Sequence, residues 1–581
     1  MKQKQFAGLA FSAALVSAAA LVAVPAQADQ SDKAPNAGNA FKNRYASVSM
    51  LSFNDFHGHL EATDPPLAKT LDPSQTPVGG SEYLAAKLTE LRGGSDNTVT
   101  VAAGDLIGGS TFLSGAFHDE PAIESMDALG LDVSSVGNHE FDEGTDELLR
   151  IQNGGCHWKD GCYFPDQPYE GADFQYLAAN TVVKDTGDTL LPGTFVKKID
   201  GVNVGFIGMT LKATPTLVNP AGVASVEFTD EIETANKSAA ALQAKGVESI
   251  VVLIHEGGYQ AGTYNDCVGI SGPIVDIATT VSPAIDAVVS GHTHQPYTCT
   301  VTDPAGNPRS VTSAADYGRV VTKTDLKIDR KTKDVVREET TAVNHLVDRN
   351  NAPDAAQTAI LAKWSALAGP IRSKVVGTVA EDITGDSSGN RGIETPMADV
   401  VADSILAGTS GDKGGAQIAF MNVGGVRSSF LVNQISNGEQ PGEITYDEAY
   451  KVAPFGNMLV SMDLTGADID AILEEQYQPV PARGSRPTLA MGVSEGFTYT
   501  WDATQPQGSR ASNLALNGVA LDAAATYRVG TLNFLAEGGD LFTSFKKGTN
   551  VLGGADDLAN LVDYLGANPG LTAPASRVDG L

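Results

Sequence analysis

The chain has 581 residues, 42% of them hydrophobic and 19% charged, and a formal charge of −31 at pH 7. That length exceeds one ordinary hydrophobic core and implies two large domains. The acidic excess argues against non-specific binding to a nucleic-acid backbone, which needs a basic surface; a small phosphate compound stays open, because metal ions or a few arginines reverse the field locally.

Lys2 and Lys4 precede a run from Phe6 to Val24 with almost no charge, and Ala26-Gln27-Ala28 closes it. A basic start, an alanine-rich apolar middle and a small-x-small end are the parts of a secretory signal peptide over residues 1–28. A retained membrane anchor is the alternative, since the run is about long enough to span a bilayer. The small-residue ending and the polar stretch after it favour cleavage after Ala28. The expected product is soluble and secreted, whether extracellular, periplasmic or wall-associated, with residues 29–44 as a flexible leader.

Residues 45–345 alternate short β-rich runs with helix-like stretches: "NTVTVAAGD", "EPAIESMDALG" and "DVSSVGNHEFD", then "GVNVGFIGMT", "ESIVVLIHEGG", "IDAVVSGHTH" and "VVTKTDLKID". Such alternation predicts βαβ units in a layered α/β domain. The four cysteines, Cys156, Cys162, Cys267 and Cys299, read as disulfides in an exported chain. Three pairings exist; the short loop and the nearer remaining pair favour Cys156–Cys162 and Cys267–Cys299. A four-cysteine zinc site is the rival, and these spacings suit it poorly.

The runs stop on a repeated chemistry. "MLSFNDFHGHL" ends in Asp55 and His57, two apart and so on one face in strand geometry. "VTVAAGD" ends in Asp105, "VSSVGNHEFD" in Asn138, His139 and Asp142, "IVVLIHEGG" in His255, and "DAVVSGHTH" in His292 and His294. Ligands of open α/β sheets sit outside the carboxyl ends of the strands, so these donors are expected to converge on one crevice. Mixed imidazole and carboxylate donors suit zinc, manganese, iron or cobalt. Seven donors exceed one four-coordinate ion and suit two ions sharing a carboxylate, an arrangement that clamps an in-line displacement at phosphorus. His139 and Asp142 also read as an imidazole held by a carboxylate, fit to protonate a departing alkoxide, with a loop ion pair as the bland alternative. His59 either supports a ligand from behind or is simply exposed; His118, His157 and His345 read as ordinary.

The stretch 346–375, with "NNAPDAAQTAILAKWSALAGPI", reads as a linker and helix, the expected hinge between domains. Residues 376–581 mix helices and short strands as a second, α+β domain. In it "MNVGGVR" sets Asn422 and Arg427 around a glycine pair that permits close backbone approach. "APFGNML" sets Phe455 and Asn457 beside Gly456, and "NFLAEGGD" sets Phe534 six residues before Asp540. Two aromatics in separate glycine-containing loops suit a clamp for a planar base, although each alone reads as a core residue.

"NDFHGH", "AAGD", "VGNHEFD", "LIHEG" and "SGHTH" resemble, in order and spacing, the blocks of the calcineurin-like metallophosphoesterase superfamily; the later blocks resemble the C-terminal domain of 5′-nucleotidases and UDP-sugar hydrolases. The resemblance spans roughly residues 46–550. It implies an α/β chain: an N-terminal four-layer αββα metallophosphoesterase domain plus a C-terminal α+β nucleotide-binding domain. It implies two divalent metal ions, with zinc, manganese or cobalt foremost. Asp55, His57, Asp105 and His294 would hold one, and Asp105, Asn138, His255 and His292 the other, with His139 and Asp142 as catalytic pair. His294 departs from the glutamine often found there, which leaves metal preference open. By the same resemblance Phe455 and Phe534 sandwich a base, Asn457 and Asp540 contact base or ribose, and Arg391 and Arg427 contact phosphate. "GGDLF" replaces the more usual "GGDGF", stiffening the loop after Asp540. The implied activity is hydrolysis of 5′-nucleotides to nucleoside and phosphate, with a nucleotide and no nucleic-acid polymer as partner. Cyclic-nucleotide phosphodiesterase, UDP-sugar hydrolase and a non-enzymatic nucleotide binder are the alternatives.

Overall fold

The structure, a computed structural model, describes residues 44–581 except 219, 386–389, 480, 481, 484 and 485. The expected signal segment 1–28 and all but Arg44 of the leader lie outside the described residues. Tyr45–Phe53, Thr98–Ala103, Val133–Ser135 and Gln175–Leu177 run parallel in a seven-stranded sheet, with Val320–Asp329 antiparallel on the far side of Tyr45–Phe53. Val202–Thr210, Ser249–His255, Ala287–Ser290 and Pro308–Ser313 are the parallel strands of a six-stranded sheet, edged by antiparallel Thr194–Ile199 and Tyr297–Thr302.

Period-two alternation sorts the side chains into layers. Met50 faces the gap between the sheets with Val101, Phe206, Val251 and Leu253. Leu51 and Phe53 face the other way, onto Leu84, Leu88 and Ile123 of the helices Ser81–Arg92 and Glu120–Leu129. In the second sheet Val204 and Phe206 face the gap, while Ile207 and Met209 meet Ala235, Ala239 and Leu242 of the helix Glu231–Ala244. The result is four layers, helix–sheet–sheet–helix. Ser249–His255 is buried along its whole length, as a parallel strand covered on both faces must be.

In the C-terminal half a five-stranded sheet runs in the order Met491–Val493, Ile418–Asn422, Thr526–Leu532, Met458–Thr465, Thr549–Asp556. The helix Pro396–Thr409 contributes Ala398, Val401 and Ile405 to the same core cluster as Leu51 and Phe53, so buried apolar contact continues from one half into the other. Gly115 marks the tightest approach. A Cβ there would lie 1.9 Å from Tyr450 Oη, and only glycine admits that hydroxyl.

The linker helix forms over Ala355–Arg372, capped by Asp354, whose carboxylate accepts from the Ala356 and Gln357 amides. Its buried face is Gln357, Ile360, Trp364 and Ala368, a three-to-four-residue spacing that turns one stripe inward. Trp364 lies 4.9 Å from Phe164 and 5.2 Å from Phe117 and donates its indole N–H to Glu124 at 2.8 Å. At its far end Arg372 grips both oxygens of Glu61, at 2.9 and 2.7 Å. Cys156 is bonded to Cys162 and Cys267 to Cys299, with Cα separations of 4.6 and 5.2 Å. Among the described residues no helix is long and apolar enough to cross a membrane.

Candidate metal centre and active site

Strand alternation predicts Asp55 and His57 side by side on one strand. The strand instead ends at Phe53, and both residues lie beyond it with φ of 51° and 48°. The pairing to the neighbouring segment nonetheless continues: the Asp55 amide donates to Gly104 O and the His57 amide to Asp105 O, each at 3.0 Å. Asp105, His292 and His294 likewise follow their strands with φ of 51°, 71° and 56°, in the left-handed region that Asp and His enter more readily than other side chains. His255 alone sits within a strand. The donors thus converge through turns after the strands, because a two-residue alternation by itself does not curl the chain over the sheet end.

His57 Nδ1 faces Gly108 O and His255 Nδ1 faces Ala103 O, both at 2.7 Å. A carbonyl accepts only, so both rings carry a proton on Nδ1 and turn Nε2 toward the cluster. Each Nε2 is buried without a hydrogen bond, as is Asn138 Oδ1. His255 Nε2 lies 2.8 Å from Asp105 Oδ2, which is 3.7 Å from His57 Nε2. A lone pair facing a carboxylate oxygen so closely is repulsive unless a proton or a cation lies between them. Burial pulls His255 down, but the charges of Asp105 and Asp55 override it and raise its pKa to about 10. Burial holds His57 and His292 neutral, both lowered to about 3. Ligand atoms of Asp55, His57 and His294 lie within 4.8 Å of one another, as do those of Asp105, His255 and His292. Two neighbouring groups, orphaned ring nitrogens and buried carboxylates fit two divalent cations of the borderline kind.

His139 opens a single 3₁₀ turn, His139–Phe141. Its Nδ1–H donates to Asp142 Oδ2 at 2.7 Å and its amide donates to Asp105 Oδ1 at 2.9 Å. Burial lowers its pKa, but Asp142 and Asp105 win and the net shift is upward. The ring also falls within the same reach of His57 and Asp105 as the metal groups do. Glu140, next in sequence, accepts from the amides of Asp105, Leu106 and Gly137, and so fixes the two turns that carry Asp105 and Asn138.

The C-terminal half meets this end of the cluster. The Phe455 ring lies nearly parallel to His139, 14° apart at 6.0 Å, and the Arg427 guanidinium sits 5.7 Å from the Phe455 ring centre. Arg391 is lowered to about 10 by burial and then by the charges of Arg427 and Arg486, with Asp540 opposing. Asn422 Nδ2 donates to Asp540 Oδ2 at 2.7 Å. The Phe534 ring covers Gly539, where a Cβ would lie 2.5 Å away. Arg391, Asn422, Arg427, Phe455, Phe534 and Asp540 are therefore carried on neighbouring segments, Asn422 closing the strand Ile418–Asn422 and Phe534 standing in the short helix Asn533–Ala536 and not in the loop its glycines suggested. Asn457 donates one side-chain N–H to Asp557 at 3.3 Å. Leu541, where the pattern favours glycine, has φ of 63°.

Residues 50–296 match the calcineurin-like phosphoesterase family, and residues 375–547 match the 5′-nucleotidase C-terminal domain. Cell wall protein Lmo0130 of Listeria monocytogenes is 32% identical over 547 residues, covering 89% of this chain and 67% of that protein. The chain belongs to the calcineurin-like phosphoesterases that carry a 5′-nucleotidase C-terminal domain. Endonuclease YhcR of Bacillus subtilis is 35% identical over 527 residues, 90% of this chain, and the chain spans 40% of the length of that relative. The crystal structure of a 5′-nucleotidase precursor from Thermus thermophilus superposes with a TM-score of 0.71 at 27% identity, covering 92% of this chain and 99% of that one.

The phosphoesterase half holds groups that the motifs did not mark. His59 donates to or accepts from Asp64 at 2.7 Å and stacks on Tyr317 at 3.8 Å. Tyr317, Asp316 and Arg319 follow a strand without any metal-type pattern, and only their place in space announces them. His118 and His157, expected to be ordinary, stack at 3.5 Å among Glu143, Glu147 and Asp160. Both nitrogens of His118 face carboxylates, Glu143 at 2.9 Å and Asp160 at 2.8 Å. Rings stacked so closely cannot both hold one ion in plane, so this group is an imidazolium on a neutral imidazole. Burial opposes protonation of His118, but Glu143 and Asp160 raise its pKa to about 9. A pKa raised on folding gives stability that is complete below the unfolded value near 6.5 and lost as pH rises through about 9. Stability is therefore expected to fall between these pH values by up to about 3 kcal/mol on account of His118, read as a falling thermal midpoint. In His118→Asn, whose side chain tolerates the φ of 48°, the fall over that window should be smaller by the share His118 contributes, the raised His139 and His255 keeping theirs; an equal fall in the variant would remove the pair from the account.

Proposed function

We propose that the protein is an exported two-metal phosphohydrolase that cleaves the ester of 5′-nucleotides to nucleoside and phosphate. The observation that carries this reading is the meeting of Phe455 and Arg427 with His139: a flat apolar face and a fixed cation stand beside the imidazole that would serve a leaving oxygen. Asp55, His57, Asp105 and His294 would hold one ion, and Asp105, Asn138, His255 and His292 the other. The bound ions would supply Lewis-acid polarisation of a phosphoryl oxygen and of the attacking water. Arg391 and Arg427 take the remaining phosphate charge by guanidinium contacts. His139, its Nδ1–H on Asp142, presents Nε2 to the ribose oxygen and gives it a proton as the bond to phosphorus breaks. Phe455 and Phe534 take the base, and Asp540, steadied by Asn422, takes a sugar or base donor. The division into 45–345, a linker at 346–375 and 376–581 belongs to the same proposal, with movement between the halves closing the site over substrate. The packing of Trp364 and Gln357 supports a linker helix that moves with the phosphoesterase half.

The test is a substrate panel: 5′-AMP, 3′-AMP, 2′,3′-cyclic AMP, UDP-glucose, ATP, an aryl phosphate and single-stranded DNA, each metal-free and with zinc, manganese, cobalt or magnesium. Products are followed by chromatography as well as phosphate release. Preferred, metal-dependent turnover of 5′-AMP is expected. Preference for a cyclic, sugar-linked or polymeric diester would keep the metal chemistry and overturn the substrate assignment; nucleotide binding without turnover would overturn both.

A further inference from the structure

We propose that Asp316, clamped by Arg319, is the positioning residue that makes His294 a metal-holding side chain. This inference rests on the two-metal reading above. His294 reaches in two directions: Nε2 lies 3.3 Å from Asp55 Oδ1, inside the cluster, and Nδ1 lies 2.9 Å from Asp316 Oδ2, outside it. Asp316 is itself buried, 5% exposed, and its other oxygen accepts from the Arg319 guanidinium through Nε at 3.1 Å and through Nη2. It therefore accepts the Nδ1–H of His294 as a hydrogen bond, turns Nε2 toward Asp55 and the cluster, and makes the ring more basic toward a cation.

The segment bearing Asp316 is fastened to the first donor strand. Asn54 takes the Ala314 amide at 2.8 Å and gives its side-chain N–H to Ala315 O at 2.6 Å, and the Tyr317 amide donates to Asp55 O at 2.6 Å. Asp55 and His294 are thus set by one piece of chain, although 239 positions separate them in sequence. A glutamine at 294 would offer a carbonyl oxygen directly and have no ring nitrogen for a carboxylate to orient. The value of Asp316 is accordingly tied to the imidazole.

The experiment is a competition titration of zinc and of manganese against a chromophoric chelator, with bound metal counted by elemental analysis, on the full chain and on Asp316→Asn, His294→Gln and the double variant. The unaltered protein is expected to take two ions. Asp316→Asn should weaken one of them by roughly 10–100-fold and leave the other unchanged, whereas in the His294→Gln background it should change neither. Arg319→Gln, which frees the carboxylate without removing it, should give a smaller loss at the same ion and stands in if Asp316→Asn does not fold. Two ions held with unchanged affinity in both Asp316→Asn and Arg319→Gln would overturn the inference alone. An equal loss with and without His294 would do so too, since the carboxylate would then act by another route. Fewer than two ions in the unaltered protein would overturn the two-metal reading and this inference with it.

Discussion

Replacing His139 with alanine is expected to lower turnover by about 10²–10⁴-fold, the usual share of a positioned general acid, while bound metal stays at its original count. The ring is held by Asp142 at 2.7 Å through Nδ1, which leaves Nε2 for substrate. Its ligand atoms also lie within 4.8 Å of those of His57 and Asp105, so a place among the metal ligands is the competing role. Metal analysis separates the two. Lost turnover with full metal content assigns the proton; lost metal assigns a ligand, and unchanged turnover removes His139 from the chemistry. Asp142→Asn should follow at smaller size, because an amide still accepts from Nδ1 yet no longer favours the imidazolium.

Trp364→Ala is expected to destabilise the chain by about 3–5 kcal/mol, the range for deleting a large buried aromatic. The indole is 2% exposed, lies against Phe117 and Phe164, and gives its N–H to Glu124. Truncation leaves a cavity between Phe117 and Phe164, which sit on different segments and cannot close it together, and Glu124 keeps Lys363 as a partner at 2.8 Å. Denaturant unfolding measures the loss. A change below about 1 kcal/mol would mean that the linker helix is held by its ends, at Asp354 and Arg372, and not by its buried face.

Much of the donor set is readable because it clusters at strand ends, and a parallel sheet brings such ends to one side. Asp55, Asp105, His255 and His294 need no long-range knowledge to be noticed. What alternation misses is local: it does not explain how Asp55 and His57 come together, since both lie in turns after Phe53. Partners are illegible where the signal is only spatial. Asp316 sits in "ADYGR", a stretch with no periodicity or metal-type spacing, and matters through a contact with His294 made across a loop. His118 and His157 read as ordinary for the same reason; 39 positions apart in sequence, they become a stacked pair only when the chain folds. Resemblance assigns Asn457 to the nucleoside; the structure adds a bond from its side-chain amide to Asp557 that neither motif contains.

Asp55, His57, Asp105, His292 and His294 all hold a left-handed backbone. Each such residue stores roughly 1–3 kcal/mol, so the rim of the site carries a load comparable with the whole net stability of an ordinary domain. Glycine at any of the five would relax the chain and delete the donor, which sets endurance against reactivity at those positions. The sheets beneath act as the frame of a drawn bow, and a bound cation is the catch. Because a cation that binds only the folded form adds its binding energy to folding, the melting point of a preparation becomes a record of the ions it has met.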